Sequence, residues 1–229
     1  MTDKRTVLDR VSALIAAGQH RDEVPGKPGI ALSGAGVFSG NRRLYYRGTA
    51  EFAQAATEGL LDRLPPPPPP ASRAAIDEAE SIAGAPLPEL LKNLYALANG
   101  GFGPGYGVLG VRGGFTDDTN RTAVGLLAEV PQGYWPGMPP GLFPLCHWGC
   151  AIYTFVHCPS GRIYGWDPNP VESEDDIPFF EQEYDLEQWF EAWLNGSLQQ
   201  PWLVWDPETG TYRGATIEET RAAMSDGAA

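Results

Sequence analysis

Apolar residues recur along this chain with two different periods, and the change of period divides it. Near the start, Val7, Leu8, Val11, Leu14 and Ile15 follow the spacing of one helix face, with Thr6 placed to cap it and Gly18 to end it. "GVFSGNRRLYY" then reads as two short strands around Gly40-Asn41. "AEFAQAATEGLLDRL" reads as a weaker helix, because Gly59 sits inside it. Ser72 opens a further helix with Ile76, Ala79 and Ile82 inward, and Gly84 closes it. Pro88 suits the first position of the next helix, whose apolar face is Leu90, Leu91, Leu94, Tyr95 and Leu97. "NGG" at Asn99 to Gly101 stops that helix, since Asn and Gly accept the left-handed cap conformation.

From Tyr106 to Trp166 the texture becomes that of strands. "YGVLGV", "LFPLC", "GCAIYTFVHC" and "GRIYGWD" are short, rich in β-branched and aromatic residues, and separated by Gly and Pro. "RTAVGLLAEV" between them fits either period. Helical spacing returns at Leu186, Trp189, Phe190, Trp193 and Leu194, behind a capping box of Asp185 and Gln188 and ahead of Asn195-Gly196. Helices, then strands, then a helix predict an α+β fold rather than alternating βαβ units. "PPPPPP" at Pro65 to Pro70 favours stiff polyproline II and reads as a linker more readily than as a ligand for a proline-binding domain. The expected organisation is an N-terminal α/β extension over 1–64 (helix, hairpin, helix), a spacer over 65–71, a main domain over 72–205 and a tail over 206–229.

Composition narrows the partners. The 229 residues suffice for a sizeable core, and the formal net charge is −13. That charge argues against nucleic acid or an anionic membrane as the ligand, because binding phosphate needs Lys and Arg. No stretch approaches the apolar length of a membrane span, and the N-terminal apolar run is too short and too interrupted for a signal peptide. With three cysteines, a disulfide framework is not expected, so the expected compartment is the cytoplasm.

Candidate chemistry concentrates in "LCHWGCAIYTFVHC", Leu145 to Cys158, which holds all three cysteines and two of the three histidines. Zinc would need four ligands at short paired spacings. If Cys150 to Cys158 is one strand, its ends lie roughly 26 Å apart at ~3.3 Å per residue and share no ion. Alternation puts Cys150, Ile152, Thr154, Val156 and Cys158 on one face and Ala151, Tyr153, Phe155 and His157 on the other, so the strand is expected to be central, with its cysteines packing as small hydrophobes. A nucleophilic Cys146 would need a base within reach, and His147, its neighbour in a strand, points to the opposite side. "GYGVLG" at Gly105 to Gly110 matches G-x-G-x-x-G without the strand before it and the helix after it that dinucleotide binding requires. No catalytic, cofactor-binding or metal-ligating residues are therefore assigned.

Charge patterning is more informative. Residues 163–212 contain no Lys or Arg and carry twelve acids. A one-signed segment of this kind sets up a field that attracts a basic protein partner, although a solvated acidic face without a partner fits composition equally well.

The same residues resemble a known family. "IDEAESIAGAPLPELLKNLYALANGGFGPGYGVLGV" is similar to the opening of the SUKH superfamily, the Smi/Knr family, while "LFPLCHWGCAIYTFVHC" with "GRIYGWDPN" resembles its central strands and "YDLEQWFEAWLNG" its closing helix. The similarity runs from about Ser72 to Trp205. It implies helices packed on a mixed, twisted sheet and a structural role for Pro88, Asn99, Gly100, Gly101, Trp148, Gly149, Trp189 and Trp193. Ala83 stands where a larger aliphatic residue is usual, and His147 and His157 where acids are common. The resemblance also implies a non-enzymatic role. Many bacterial members are immunity proteins that bind and neutralise a polymorphic toxin, and fungal relatives regulate cell-wall synthesis. The expectation is a cytoplasmic immunity protein without cofactors, binding a toxin with a basic surface through Glu172, Glu174, Asp175, Asp176, Glu181 and Glu183. The alternatives are a regulatory or scaffolding module of the same fold and, behind it, an enzyme using the Cys/His cluster.

Overall fold

A computed structural model of the chain describes residues 6–23, 30–33, 43–133, 135–173 and 176–226. The described elements are α1 (Val7–Ala17), β1 (Ile30–Ser33), β2 (Arg43–Tyr46), α2 (Ala50–Thr57), α3 (Arg73–Ala83), α4 (Glu89–Tyr95), α5 (Ala123–Leu127), β3 (Leu142–Gly149), β4 (Ile152–His157), β5 (Arg162–Trp166), β6 (Phe179–Asp185), α6 (Leu186–Leu194), β7 (Leu203–Asp206), β8 (Thr211–Gly214) and α7 (Ile217–Asp226). The class is α+β, as expected. The central sheet has the order β3-β4-β5-β6 and is antiparallel at every pairing, so it is not the mixed sheet the resemblance implies.

Caps account for the three helices that the periodicity located best. The Thr6 side chain accepts from the Asp9 N–H while the Asp9 carboxylate reaches back, and Gly18 ends α1 in the left-handed conformation. Ser72 caps α3. Asp185 and Gln188 complete the reciprocal box on α6. The apolar face of α6 is buried at Leu186, Trp189, Phe190, Trp193 and Leu194. On α3, Ala75, Ile76 and Ala79 are buried, but Ile82 is 44% exposed. Leu87, beyond the Gly84 turn, is buried in the core instead, with its N–H donated to Glu80 Oε1 at 3.0 Å.

Five further expectations are corrected. The strand that pairs with β2 lies upstream at Ile30–Ser33, and residues 36–42 of the quoted run, where the first strand is expected, fall outside the described residues. α2 ends at Thr57, because Gly59 adopts positive φ beyond it. "YGVLGV" is not a strand of the sheet. It runs along the outer edge of β3, with Tyr106 N–H on His147 O at 3.0 Å and Leu109 N–H on Leu145 O at 2.6 Å, and so covers part of an open edge. Cys150 and Ala151 form the turn between β3 and β4 rather than the start of a strand. The segment after 206 is not a bare tail, since it forms β8, paired to β7, and α7.

The core explains why the sheet is two-sided. β4 is buried from Ile152 to Val156 and lies between β3 and β5. On one face, Tyr153 and Phe155 meet the edge of Trp135 at 5.1 and 5.2 Å between centroids. On the other, Thr154 accepts from the Trp148 indole at 2.8 Å. Trp189, Phe190 and Trp193 from α6 and Leu91, Leu94 and Tyr95 from α4 join the same cluster, and so do Val7 and Val11 from α1.

The N-terminal segment is thus built into this core. The two backbones approach so closely at Arg47-Gly48 and Asn195-Gly196 that a Cβ on Gly196 would meet Arg47 O at 1.7 Å. Only glycine fits there. The proline run also lies against the body, where Pro69 O accepts from Asn99 N–H at 3.0 Å and Ala71 N–H donates to Tyr95 O at 2.9 Å.

Candidate functional site

The Cys/His stretch is distributed through the core. Cys146 and Cys158 are buried, and Cys150 is exposed at the β3–β4 turn. Burial pushes the Cys146 thiol far up and the Cys158 thiol up to about 12, the opposite of what an activated nucleophile requires. Among the described residues, no group of three or more His, Cys, Asp and Glu side chains is placed to hold a metal ion.

His147 sits in an aromatic sandwich, 5.4 Å from the Tyr106 ring and 4.5 Å from the Tyr153 ring. Its Nδ1 is 3.4 Å from Asp118 Oδ1. Burial lowers its pKa, against the pull of Asp118. Beside it is a buried carboxylate that the sequence reading did not single out. Asp117 accepts from the Thr119 N–H and hydroxyl, the Arg121 N–H and guanidinium, and the Tyr153 hydroxyl at 3.1 Å. Burial alone would raise the pKa of Asp117, yet bonds from Arg121 and Thr119 hold it below the ordinary value. Every one of these bonds ties the 117–121 loop to itself or to β4, which makes Asp117 a structural anchor. Its sequence signal is "DDTNRT", an Asp followed by Thr and Asn in the pattern of an Asx turn.

The acidic stretch separates into acids that hold the fold and acids that face solvent. Asp167 is buried and accepts from Leu203 N–H at 3.1 Å and from the Asn169 side chain at 2.8 Å. Asp185 caps α6. Asp206 accepts from Glu208 N–H and the Thr209 hydroxyl in the β7–β8 turn. Glu181 is engaged by Arg162 at 2.7 Å and by the Tyr164 hydroxyl at 3.1 Å, and the Arg162 bond lowers its pKa.

Of the six acids expected to meet a partner, Glu172 and Asp176 come together, Glu181 and Glu183 lie elsewhere on β6, and Glu174 and Asp175 fall outside the described residues. Glu172 and Asp176 line an open groove of about 530 Å³ with Trp166, Val171 and three prolines, Pro136, Pro168 and Pro178. Ile177, 56% exposed, stands beside it against Gly137. Glu181 and Glu183 line a separate recess between β6 and the 214–217 segment. Sequence spacing could not foresee this division, because the cations and N–H groups that engage Glu181 and Asp167 come from Arg162 and Leu203, both distant in the chain.

No helix among the described residues is long and apolar enough to cross a membrane. No curated protein and no solved structure matches the chain significantly. The sequence pattern of the SMI1 / KNR4 family (SUKH-1) matches residues 70–196, which runs from the proline segment through the strands to the end of α6. That match covers more than half of the 229 residues, and the chain belongs to the SMI1 / KNR4 family (SUKH-1).

Proposed function

We propose that this chain is a non-enzymatic immunity protein of the cytoplasm, which binds a polymorphic toxin with a basic surface and neutralises it stoichiometrically. One observation carries the reading: in a member of this family, residues 163–212 hold twelve acids and no Lys or Arg. Glu172, Asp176 and Glu183 lie in that segment, which supplies no Lys or Arg to offset them, and Glu174 and Asp175 are two more acids of its sequence. The enzyme alternative draws no support from the buried thiols or from Asp117, whose oxygens are taken up by the fold.

Co-expression with the toxin-like product of the adjacent gene tests the idea. Growth should be rescued, and the purified pair should form a complex of fixed stoichiometry. Association should slow about tenfold or more as the Debye length shortens from about 10 Å at 0.1 M salt to about 3 Å at 1 M. A complex without rescue would make the chain a regulatory module instead. Absence of any complex would remove the toxin from the account.

A further inference from the structure

The groove at Trp166 and Val171 does not end at its acids. Beyond it lies the β7–β8 hairpin, outside the residues that match the family. Trp205 on β7 is 53% exposed and meets the ring of Tyr212 edge-on at 5.2 Å. An indole this exposed is unusual for a residue type that contributes mainly by burial, and Trp is enriched where one protein docks on another.

Two bonds fix this aromatic beside the groove. The Tyr212 hydroxyl donates to Pro170 O at 2.6 Å, and Leu203 N–H donates to the buried Asp167 carboxylate at 3.1 Å. Pro168 and Val171, which flank these anchor points, are groove residues. The hairpin that carries Trp205 is therefore fixed to the chain segment that supplies one side of the groove. Alternation along the hairpin sends its own cation the other way. Arg213 pairs across from Val204, not Trp205, and its guanidinium is held by Glu219 at 2.7 Å. The indole of Trp205 thus belongs to a hairpin bonded to the 167–170 segment, whose neighbours Pro168 and Val171 line a groove with two charged members, Glu172 and Asp176, both acidic.

We propose that this composite surface docks an arginine-bearing segment of the partner, and this deepens the binding role argued above. The guanidinium would stack on Trp205 and pair with Glu172, and an adjacent aliphatic side chain would enter the groove over Trp166, Val171 and Pro168. Arginine fits better than lysine because its planar, weakly hydrated cation stacks on an aromatic ring while its edge still donates to a carboxylate. The acids choose the sign of the partner, and the groove and indole choose its shape.

The probe is an acetylated Gly-Arg-Leu-Arg-Gly peptide, with the Gly-Glu-Leu-Glu-Gly peptide as control, titrated into the full chain and followed by proton–nitrogen NMR. Seven indole N–H signals report the seven tryptophans separately. The basic peptide should move the Trp205 indole signal and the amides of Val171 and Glu172, and the acidic peptide should move none of them. Trp205→Ala should weaken the basic peptide about three- to tenfold, with Trp205→Phe recovering part of the loss. Because Trp205 is exposed, the variant keeps its fold, which unchanged amide signals from α6 would verify. Equal affinity of Trp205→Ala, or shifts spread as strongly over Glu181 and Glu183, would overturn the assignment. The toxin assay separates the two ideas. If wild type rescues growth and Trp205→Ala rescues equally at limiting expression, the immunity role stands and the Trp205 surface falls. If the peptide binds at Trp205 and no toxin is neutralised, the surface stands without the immunity role.

Discussion

At the scale of single residues, the most unusual feature is a set of buried charges that no pattern in the sequence announces. Arg47 is only 4% exposed, 3.6 Å from Asp22, and lies over the rings of Trp193 at 4.7 Å and Phe52 at 5.2 Å. The Trp193 indole donates to the same Asp22 oxygen at 3.0 Å. Buried ions are tolerated when paired and hydrogen-bonded in this way. His20, buried beside them, is kept neutral first by burial and then by the charges of Arg21 and Arg47, with its pKa lowered from 6.5 to about 4. The consequence for stability has a definite sign. Between those two pH values the unfolded chain takes up a proton that the folded chain refuses, so stability falls as pH falls. From pH 7 to pH 5 the loss from His20 amounts to about 2 kcal/mol. His20→Asn should flatten that part of a urea-denaturation profile, whatever its effect at pH 7. An unchanged slope between pH 7 and pH 5 would mean that His20 titrates normally.

At the scale of elements, the β3–β4 hairpin shows where sequence patterns lose their grip. Gly149 pairs with Ile152, so the loop consists of Cys150 and Ala151 alone, with φ of 49° and 60°. Both central residues at positive φ define the turn that Asn-Gly makes best, and Cys-Ala carries no such signature. A turn made of unfavoured residues therefore passed as continuous strand. Replacing Cys150→Asn and Ala151→Gly together should stabilise the protein by about 1–2 kcal/mol. The backbone O of Cys150, which accepts from Asn169 at 2.9 Å, is kept. A higher urea midpoint at constant m-value would record the gain, and a lower midpoint would show that the side chains of this turn are packed rather than merely tolerated. The helices α1, α3 and α6 were legible because cap residues and period agree at each. β6 was not, because its exposed half reads "EQEYD" and no turn separates it from α6. Asp185 is at once its last residue and the cap of that helix. The acidic run of the candidate site was equally plain in the sequence, but its division into structural and solvent-facing acids depends on partners that only the folded chain supplies.

At the scale of the whole molecule, the N-terminal segment and the acid-rich half depend on one another. Nine of the sixteen Lys and Arg residues lie before residue 65, against seven Asp and Glu there, while residues 163–212 have twelve acids and no Lys or Arg, so a slightly cationic start precedes a strongly acidic later segment. The cationic part is no loose appendage. Val7 and Val11 sit in the main core, Arg10 reaches Asn195 at 2.8 Å, and Arg47 with Asp22 closes over Trp193 at the end of α6. Removing residues 1–64 would uncover two core valines' worth of apolar surface, about 1.5–3 kcal/mol for each. It would also leave the α6 indole without the buried carboxylate that accepts from it. Against a total stability on the order of 5–15 kcal/mol, losses of this size remove most of the margin. The full chain should therefore melt in a single cooperative transition, and a chain beginning at residue 65 should lose its near-ultraviolet circular dichroism and fixed tertiary packing at 25 °C. If the truncated chain melted cooperatively at the temperature of the full one, the clasp would be decoration. If it folds only at raised salt, the deficit is electrostatic, because the remaining chain carries seven Lys and Arg against twenty-two Asp and Glu and screening relieves their repulsion.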